Sequence, residues 1–196
     1  GGTLSILRGD GQGGLGTPVT SLTGTDAVDL VSADFDRDGW PDLAVAHAGT
    51  LDVVVLTNDR ASGFTRRSYP VGGRPQSLAT GDFGGDGTTD IAVANDTAGA
   101  IMVLRGLGDG TFTFGGTTLL GTGSLALAAG HFNADARLDL AWFRAPLNTN
   151  LQLSILAGNG AEAFVPGPPL SLHAAEHALV AADLDSDGRL DLIGGS

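Results

Sequence analysis

The chain has 196 residues, 42% of them hydrophobic, enough to bury a core of ordinary size in one domain or two small ones. A net charge of −12 sets it against nucleic-acid phosphates and anionic membranes, so neither is an expected partner, and small cations are. Cysteine is absent, which excludes disulfides and thiolate metal sites, and no apolar run of about 18 residues, basic leader or lipidation signal is read, so a soluble chain is expected.

With 32 glycines, no lysine and no sustained amphipathic window, the sequence reads as short strands joined by glycine turns. It opens on an apolar stretch, Leu4-Ser-Ile-Leu7, followed by a glycine-rich turn and by Leu15. A Leu with a hydrophobic residue eight positions later recurs as Leu56/Phe64, Leu104/Phe112 and Leu156/Phe164, at spacings of 49, 48 and 52. Between these pairs lies a second repeated element. Its copies are Asp34-Phe-Asp-Arg-Asp-Gly-Trp-Pro-Asp42, Asp82-Phe-Gly-Gly-Asp-Gly-Thr-Thr-Asp90, His131-Phe-Asn-Ala-Asp-Ala-Arg-Leu-Asp139 and Asp183-Leu-Asp-Ser-Asp-Gly-Arg-Leu-Asp191. Two independent features with one spacing define an internal repeat.

The clearest unit reads as four strands, A to D: SLATGDF, DIAVAN, AIMVLRG and TFGGTTLL. The acidic segment joins A to B, residues 95–99 join B to C, and residues 106–110 join C to D. Continuously apolar stretches such as LAVA, IAVA and VVVL suit strands covered on both faces. The expected fold is therefore all-β, a β-propeller of four-stranded antiparallel blades. One domain spans 1–196: a half-blade at 1–24, blades at 25–72, 73–121 and 122–172, and a half-blade at 173–196. These are four repeat equivalents in circularly permuted order, since the chain opens in strand C and closes in strand B. Its two ends are expected to meet in one B–C hairpin, within one chain or between neighbours, unless the sequence is an arbitrary cut through a longer array.

The acidic segments carry the candidate chemistry. Oxygens at loop positions 1, 3, 5 and 9, the carbonyl at 7 and a glycine at 6 that allows the turn suit a hard divalent cation, and Ca²⁺ best. The first loop offers Asp34, Asp36, Asp38, Trp40 (by its carbonyl) and Asp42; the fourth offers Asp183, Asp185, Asp187, Arg189 (carbonyl) and Asp191. The second, with Asp82, Asp86, Thr88 (carbonyl) and Asp90, has Gly84 at position 3 and is expected to bind more weakly. The third is degraded to Asn133, Asp135 and Asp139, with His131 at position 1 and Ala136 at position 6. An EF-hand is excluded by Val45, Val93, Trp142 and Gly194 where its twelfth-position Glu belongs. Thirteen of the 22 acidic residues fall in these loops, so much of the charge is site chemistry.

The segments ADFDRDGWPDLAVA, TGDFGGDGTTDIAVAN and AADLDSDGRLDLI, with the LRGLGDGTF turn, resemble FG-GAP or VCBS-type repeats across essentially the whole chain. Those repeats build the integrin α-subunit propeller and occur in many secreted bacterial proteins, among them adhesins, lectins and domains attached to enzymes. The resemblance implies calcium in the A–B loops and ligand binding on the opposite face. By position it nominates His47, Arg74, Asn95, Asp96, Arg144 and His177 for that face, with His47 a solvated loop residue. A closed four-blade ring and an eight-blade ring of two chains are both compatible with it.

Two other motifs read better as turns and loops. Arg8-Gly9-Asp10 lies in a C–D turn, and His173-Ala-Ala-Glu-His177, though it fits H-x-x-E-H, occupies a short connection and not a helix. No G-x-S-x-G, phosphate loop or triad order is present. The expected function is non-enzymatic: an extracellular, calcium-binding module for a protein or carbohydrate ligand. The alternatives are a lectin and a structural homo-oligomer that closes its ring between chains.

Overall fold

A computed structural model describes residues 2–60, 63–146, 150–172 and 178–195. Every described element is a strand, and every pairing is antiparallel. An N-terminal hairpin, β1 (Thr3–Ile6) and β2 (Val19–Leu22), precedes the first four-stranded sheet. That sheet runs β3 (Ala27–Ala33), β4 (Asp42–His47), β5 (Asp52–Asn58) and β6 (Phe64–Pro70), in order. The second repeats it with β7 (Pro75–Gly81), β8 (Asp90–Asn95), β9 (Ala100–Gly106) and β10 (Phe112–Leu119).

In the third sheet, β11 (Ser124–Gly130), β12 (Asp139–Arg144) and β13 (Leu151–Gly158) are followed by a divided last strand. β14 (Phe164–Pro166) and β15 (Leu170–Leu172) both pair with β13. The break falls at Pro166-Gly-Pro-Pro169, where the prolines have no N–H to give the ladder. A C-terminal hairpin, β16 (Ala178–Ala182) and β17 (Asp191–Gly195), completes the order.

The two ends do not join within the chain: the terminal hairpins are separate two-stranded sheets, and among the described residues β17 does not pair with β1. β3 packs on β7, β7 on β11 and β11 on β16, so β16–β17 is seated on the third sheet.

Two cores lie between the three complete sheets. Alternation along β8 divides its side chains, Ile91 and Val93 entering the first core and Ala92 and Ala94 the second. This is why the run is apolar throughout: both faces are buried. An aromatic pair closes each core. Phe35, after β3, meets Phe112 edge-to-face at 5.3 Å between ring centroids, and Phe83, after β7, meets Phe164 at 5.5 Å. The first strands are also stitched by hydrogen bonds. The Leu78 amide (2.7 Å) and the Ser77 hydroxyl (3.0 Å) donate to Asp29 Oδ2, while the Leu127 amide donates to Ser77 Oγ (3.1 Å).

Phe35 is 1% exposed. Phe35→Ala is expected to lower the unfolding free energy by about 3–5 kcal/mol in urea titration, the usual loss for a buried ring; a loss below about 1 kcal/mol would show that the first core closes without it.

Candidate functional site

The acidic loop of each complete sheet is anchored by its ninth residue. Asp42, Asp90 and Asp139 open β4, β8 and β12, and each is fully buried. In each, Oδ2 accepts from the amide of loop position 2: Phe35 (2.9 Å), Phe83 (3.0 Å) and Phe132 (3.0 Å). Oδ1 accepts from an amide at the end of the third strand: Asn58 (2.7 Å), Gly106 (2.8 Å) and Gly158 (2.9 Å). One carboxylate thus clasps the loop to a strand two places along the sheet. Burial pushes the Asp90 carboxyl up to about 6 and raises that of Asp42.

Position 1 shapes the turn. Asp34 accepts from the amides of Asp38 and Gly39, Asp82 from those of Gly85, Asp86 and Gly87, and Asp183 from those of Asp187 and Gly188. The glycine at position 6 has φ of 84° in Gly39 and Gly188 and 78° in Gly87. Position 4 is left-handed too, in Arg37 (61°) and Ser186 (62°), which the sequence reading missed. The third loop departs from this shape: its His131 Nδ1 lies 2.9 Å from the Arg137 carbonyl, and Ala136 is not left-handed.

Three carboxylates converge in two of the loops. Ligand-capable oxygens of Asp34, Asp36 and Asp42 lie within 4.8 Å of one another, as do those of Asp183, Asp185 and Asp191. Such spacing suits oxygen ligation of a hard cation. Position 5 lies outside both groups. Asp38 instead receives Arg60 Nε at 2.9 Å, and the amides of Trp40 and Arg189 bond to Asp38 and Asp187. In the second loop Asp86 is bonded by the Thr88 hydroxyl and amide and by Arg105 (2.8 Å), which hold its carboxyl down at about 2. In the third, Asn133 Nδ2 donates to Asp139 Oδ1 (3.2 Å) and Asp135 accepts from the Arg137 amide. Neither of these loops gathers three acidic groups.

The residues nominated for the opposite end are largely occupied in holding the fold. His47 is not a solvated loop residue. It ends β4 with no exposure, its Nε2 3.0 Å from Thr23 Oγ1 and its Nδ1 3.3 Å from Asp52 Oδ1 but poorly aligned for a hydrogen bond. Burial lowers its pKa, with Asp52 opposing. Asn95 is equally buried at the end of β8 and donates to the Val71 carbonyl, and Asp96 accepts from the Gly123 amide. Arg144 lies over the Trp142 ring, 4.9 Å from its centroid, and bonds Gln152 and the Leu120 carbonyl. Arg74 is exposed, 3.6 Å from Asp26. His177, like the H-x-x-E-H stretch, lies outside the described residues. Asp10 accepts from the Gln12 and Gly14 amides, so Arg8-Gly9-Asp10 is ordinary turn chemistry.

At this end the structure adds a feature the sequence hides. β3, β7 and β11 each carry a bulge at one repeat position, skipping Val28, Gln76 and Leu125. These residues, with Asp29, Ser77 and Leu179, line a cavity of about 360 Å³ to which the first strands of all three complete sheets and β16 contribute. Bulges re-aim side chains in this way, and no residue type marks them here.

Four overlapping stretches, residues 1–45, 34–93, 82–142 and 131–194, each match the family model described as FG-GAP-like repeat. No curated protein matches the chain.

Two outcomes follow from the buried groups. Asp90→Asn turns an amide nitrogen toward amide donors and is expected to cost about 1–3 kcal/mol in urea unfolding, with no cost if the clasp is dispensable. His47 favours the neutral form when folded, so its contribution is complete above pH 6.5 and is lost as pH falls below it, because the unfolded chain then takes a proton that the folded chain refuses. His47→Asn, the residue its repeat mate carries, is expected to flatten the fall in melting temperature between about pH 7 and 5 relative to the parent chain.

Proposed function

The chain belongs to the FG-GAP-like repeat family, and from that premise we propose that it is a calcium-stabilised, non-enzymatic recognition module whose sheets are propeller blades. Three features support the blade reading. Each sheet has the same strand order, successive first strands pack on one another, and four of them border one cavity.

The observation that carries the calcium reading is the pair of carboxylate triads at equivalent loop positions. Asp34, Asp36 and Asp42 would hold one ion and Asp183, Asp185 and Asp191 another. Bound Ca²⁺ supplies charge compensation to carboxylates that otherwise repel within a short loop. The second and third loops, with Asp86 committed to Arg105 and Asn133 to Asp139, are assigned weaker or no binding. An extracellular setting, where Ca²⁺ is millimolar, keeps sites of moderate affinity filled.

Ligand recognition is assigned to the end bearing the bulge-lined cavity. Its wall mixes Val28, Leu125 and Leu179 with the polar Asp29, Gln76 and Ser77, which suits a side chain of a protein ligand that joins an apolar stem to a polar end. A sugar is favoured by stacking on an exposed aromatic ring, and none of the described residues lining this cavity is aromatic.

Thermal unfolding in Ca²⁺ and in EGTA tests the metal. Ca²⁺ at about 100 times its dissociation constant is expected to add about 2.7 kcal/mol per filled site. The combined Asp36→Asn and Asp185→Asn variant is expected to lose that gain, since asparagine retains an acceptor for the loop amide while removing charge. Equal melting temperatures of the parent chain in the two buffers would rule calcium out as a stabilising ligand.

A further inference from the structure

The second acidic loop departs from the first at position 3, where Gly84 stands in the place of Asp36, and a carboxylate arrives there from another sheet. By repeat register the turn before β14 places Glu162 where the turn before β10 has Gly110. Each reaches back to the preceding sheet in the same way. The Gly110 amide donates to the Phe35 carbonyl (3.1 Å) and the Glu162 amide to that of Phe83 (3.3 Å). Their φ angles are 75° and 61°, so Glu162 keeps a side chain in a left-handed conformation where its mate is glycine. Its Oε1 lies 3.4 Å from where a Cβ of residue 84 would stand, just as the Asp36 Cβ lies 3.4 Å from where a Cβ of residue 110 would. The carboxylate has changed places across the junction, from loop position 3 to the turn of the following sheet.

Three further residues depart with it. Arg105 takes the place of Thr57, and its guanidinium joins Asp86 Oδ2 (2.8 Å) to Glu162 Oε1 (3.2 Å). Gly115 and Gly116 take the place of Arg67 and Ser68, which pair without a shift along β6, whereas β10 slips register between Phe114 and Thr117. A Cβ on either glycine would collide with Glu162. The bulge thus makes the room in which the Glu162 side chain lies, only 13% exposed. A carboxylate so far withdrawn from water needs a counter-charge, and Arg105 is placed to supply it. A second guanidinium, that of Arg37 in the first loop, donates to the Gly87 carbonyl (2.7 Å). The first loop differs: Arg60 meets Asp38 there, while Asp34, Asp36 and Asp42 converge apart from it.

We propose that Arg105 is the resident cation of the second loop: with Glu162 in place of the position-3 carboxylate it neutralises the loop and ties the second sheet to the third, so that no metal binds there. The calcium that the repeat family implies does not fit this loop. A divalent ion among Asp82, Asp86 and Asp90 would have to displace a guanidinium already held by two carboxylates. A guanidinium suits the role because it stays charged at any working pH and carries several N–H donors. It is also part of the chain, so neither dilution nor a chelator removes it. The bridge stands whether or not the first and fourth loops hold calcium; only the contrast between the loops rests on that reading.

The test is a pair of double-mutant cycles on the 196-residue chain, read by urea unfolding in EGTA and again in Ca²⁺. Arg105→Met and Glu162→Gln together are expected to raise the unfolding constant at least about threefold less than the product of their separate effects, equally in both buffers. Gly84→Asp sets a second carboxylate beside Glu162. It is expected to raise the unfolding constant at least about threefold more in the parent chain than in Glu162→Gln. Additive effects in the first cycle would show that Arg105 is not the loop's cation, and an equal cost of Gly84→Asp in both chains that Glu162 has not taken the position-3 place. Coupling present in EGTA and lost in Ca²⁺ would show that metal displaces Arg105, and would overturn the exclusion. The calcium reading of the first and fourth loops is judged separately, by the melting temperature of the parent chain in the two buffers, and its failure leaves both cycles in EGTA unaffected.

Discussion

A buried carboxylate is the constraint on which each sheet depends. Asp42, Asp90 and Asp139 have no exposure, and removing a charge from water is costly unless its oxygens are met by donors. Here they are met by backbone amides from two places, the loop's own second residue and the end of the third strand. The carboxylate therefore fixes the loop path and the stagger of three strands together. Position 2 is carried inward by the same bond, which is how Phe35 and Phe83 come to enter the space between sheets. The acidic residue at one end of the sheet and the aromatic core between sheets are consequences of one local geometry.

Asp29 and Ser77 do for the first strands what the clasp does for the loops. A carboxylate on β3 accepts from β7, and a hydroxyl on β7 accepts from β11, so neighbouring sheets are registered along their shared border as well as packed. The bulges lie beside these residues at one level, and together they give the cavity its mixed wall. The acidic loops and the cavity occupy opposite ends of the first strands, separating the proposed cation site from the proposed recognition site.

Much of this was legible before any coordinate. The internal period gave the strand order and the acidic loops, because loop, strand and turn residues recur at one spacing. Acidic groups converge in the two loops whose sequence carries four carboxylates, and Gly84 and His131 mark the two loops without a triad. What escaped depends on neighbours distant in sequence. His47 and Asn95 look like loop residues because polar side chains at strand ends usually face water, yet Thr23 and Asp52 surround one and the Val71 carbonyl accepts from the other. The ninth-position Asp reads only as a ligand, since no pattern in the sequence reveals that in the complete sheets its oxygens also hold two amides.

The division of β8 into Ile91 and Val93 on one face and Ala92 and Ala94 on the other gives the sheet a polarity. In the first core Ala44 and Ala46 of β4 face Ile91 and Val93; in the second Ala92 and Ala94 face Leu140 and Trp142 of β12. Along these second strands each contact sets alanines against larger residues in the same sense along the chain, while Val53 and Val55, and Ile101 and Val103, fill the rest of the alanine-bearing faces. Two like faces would leave voids or collide, so sheets add head to tail and not back to back. Such a heterologous series has two outcomes, closure on itself or continued growth. The size difference between alternate residues of a buried strand therefore acts as a direction marker, telling each sheet which neighbour comes next.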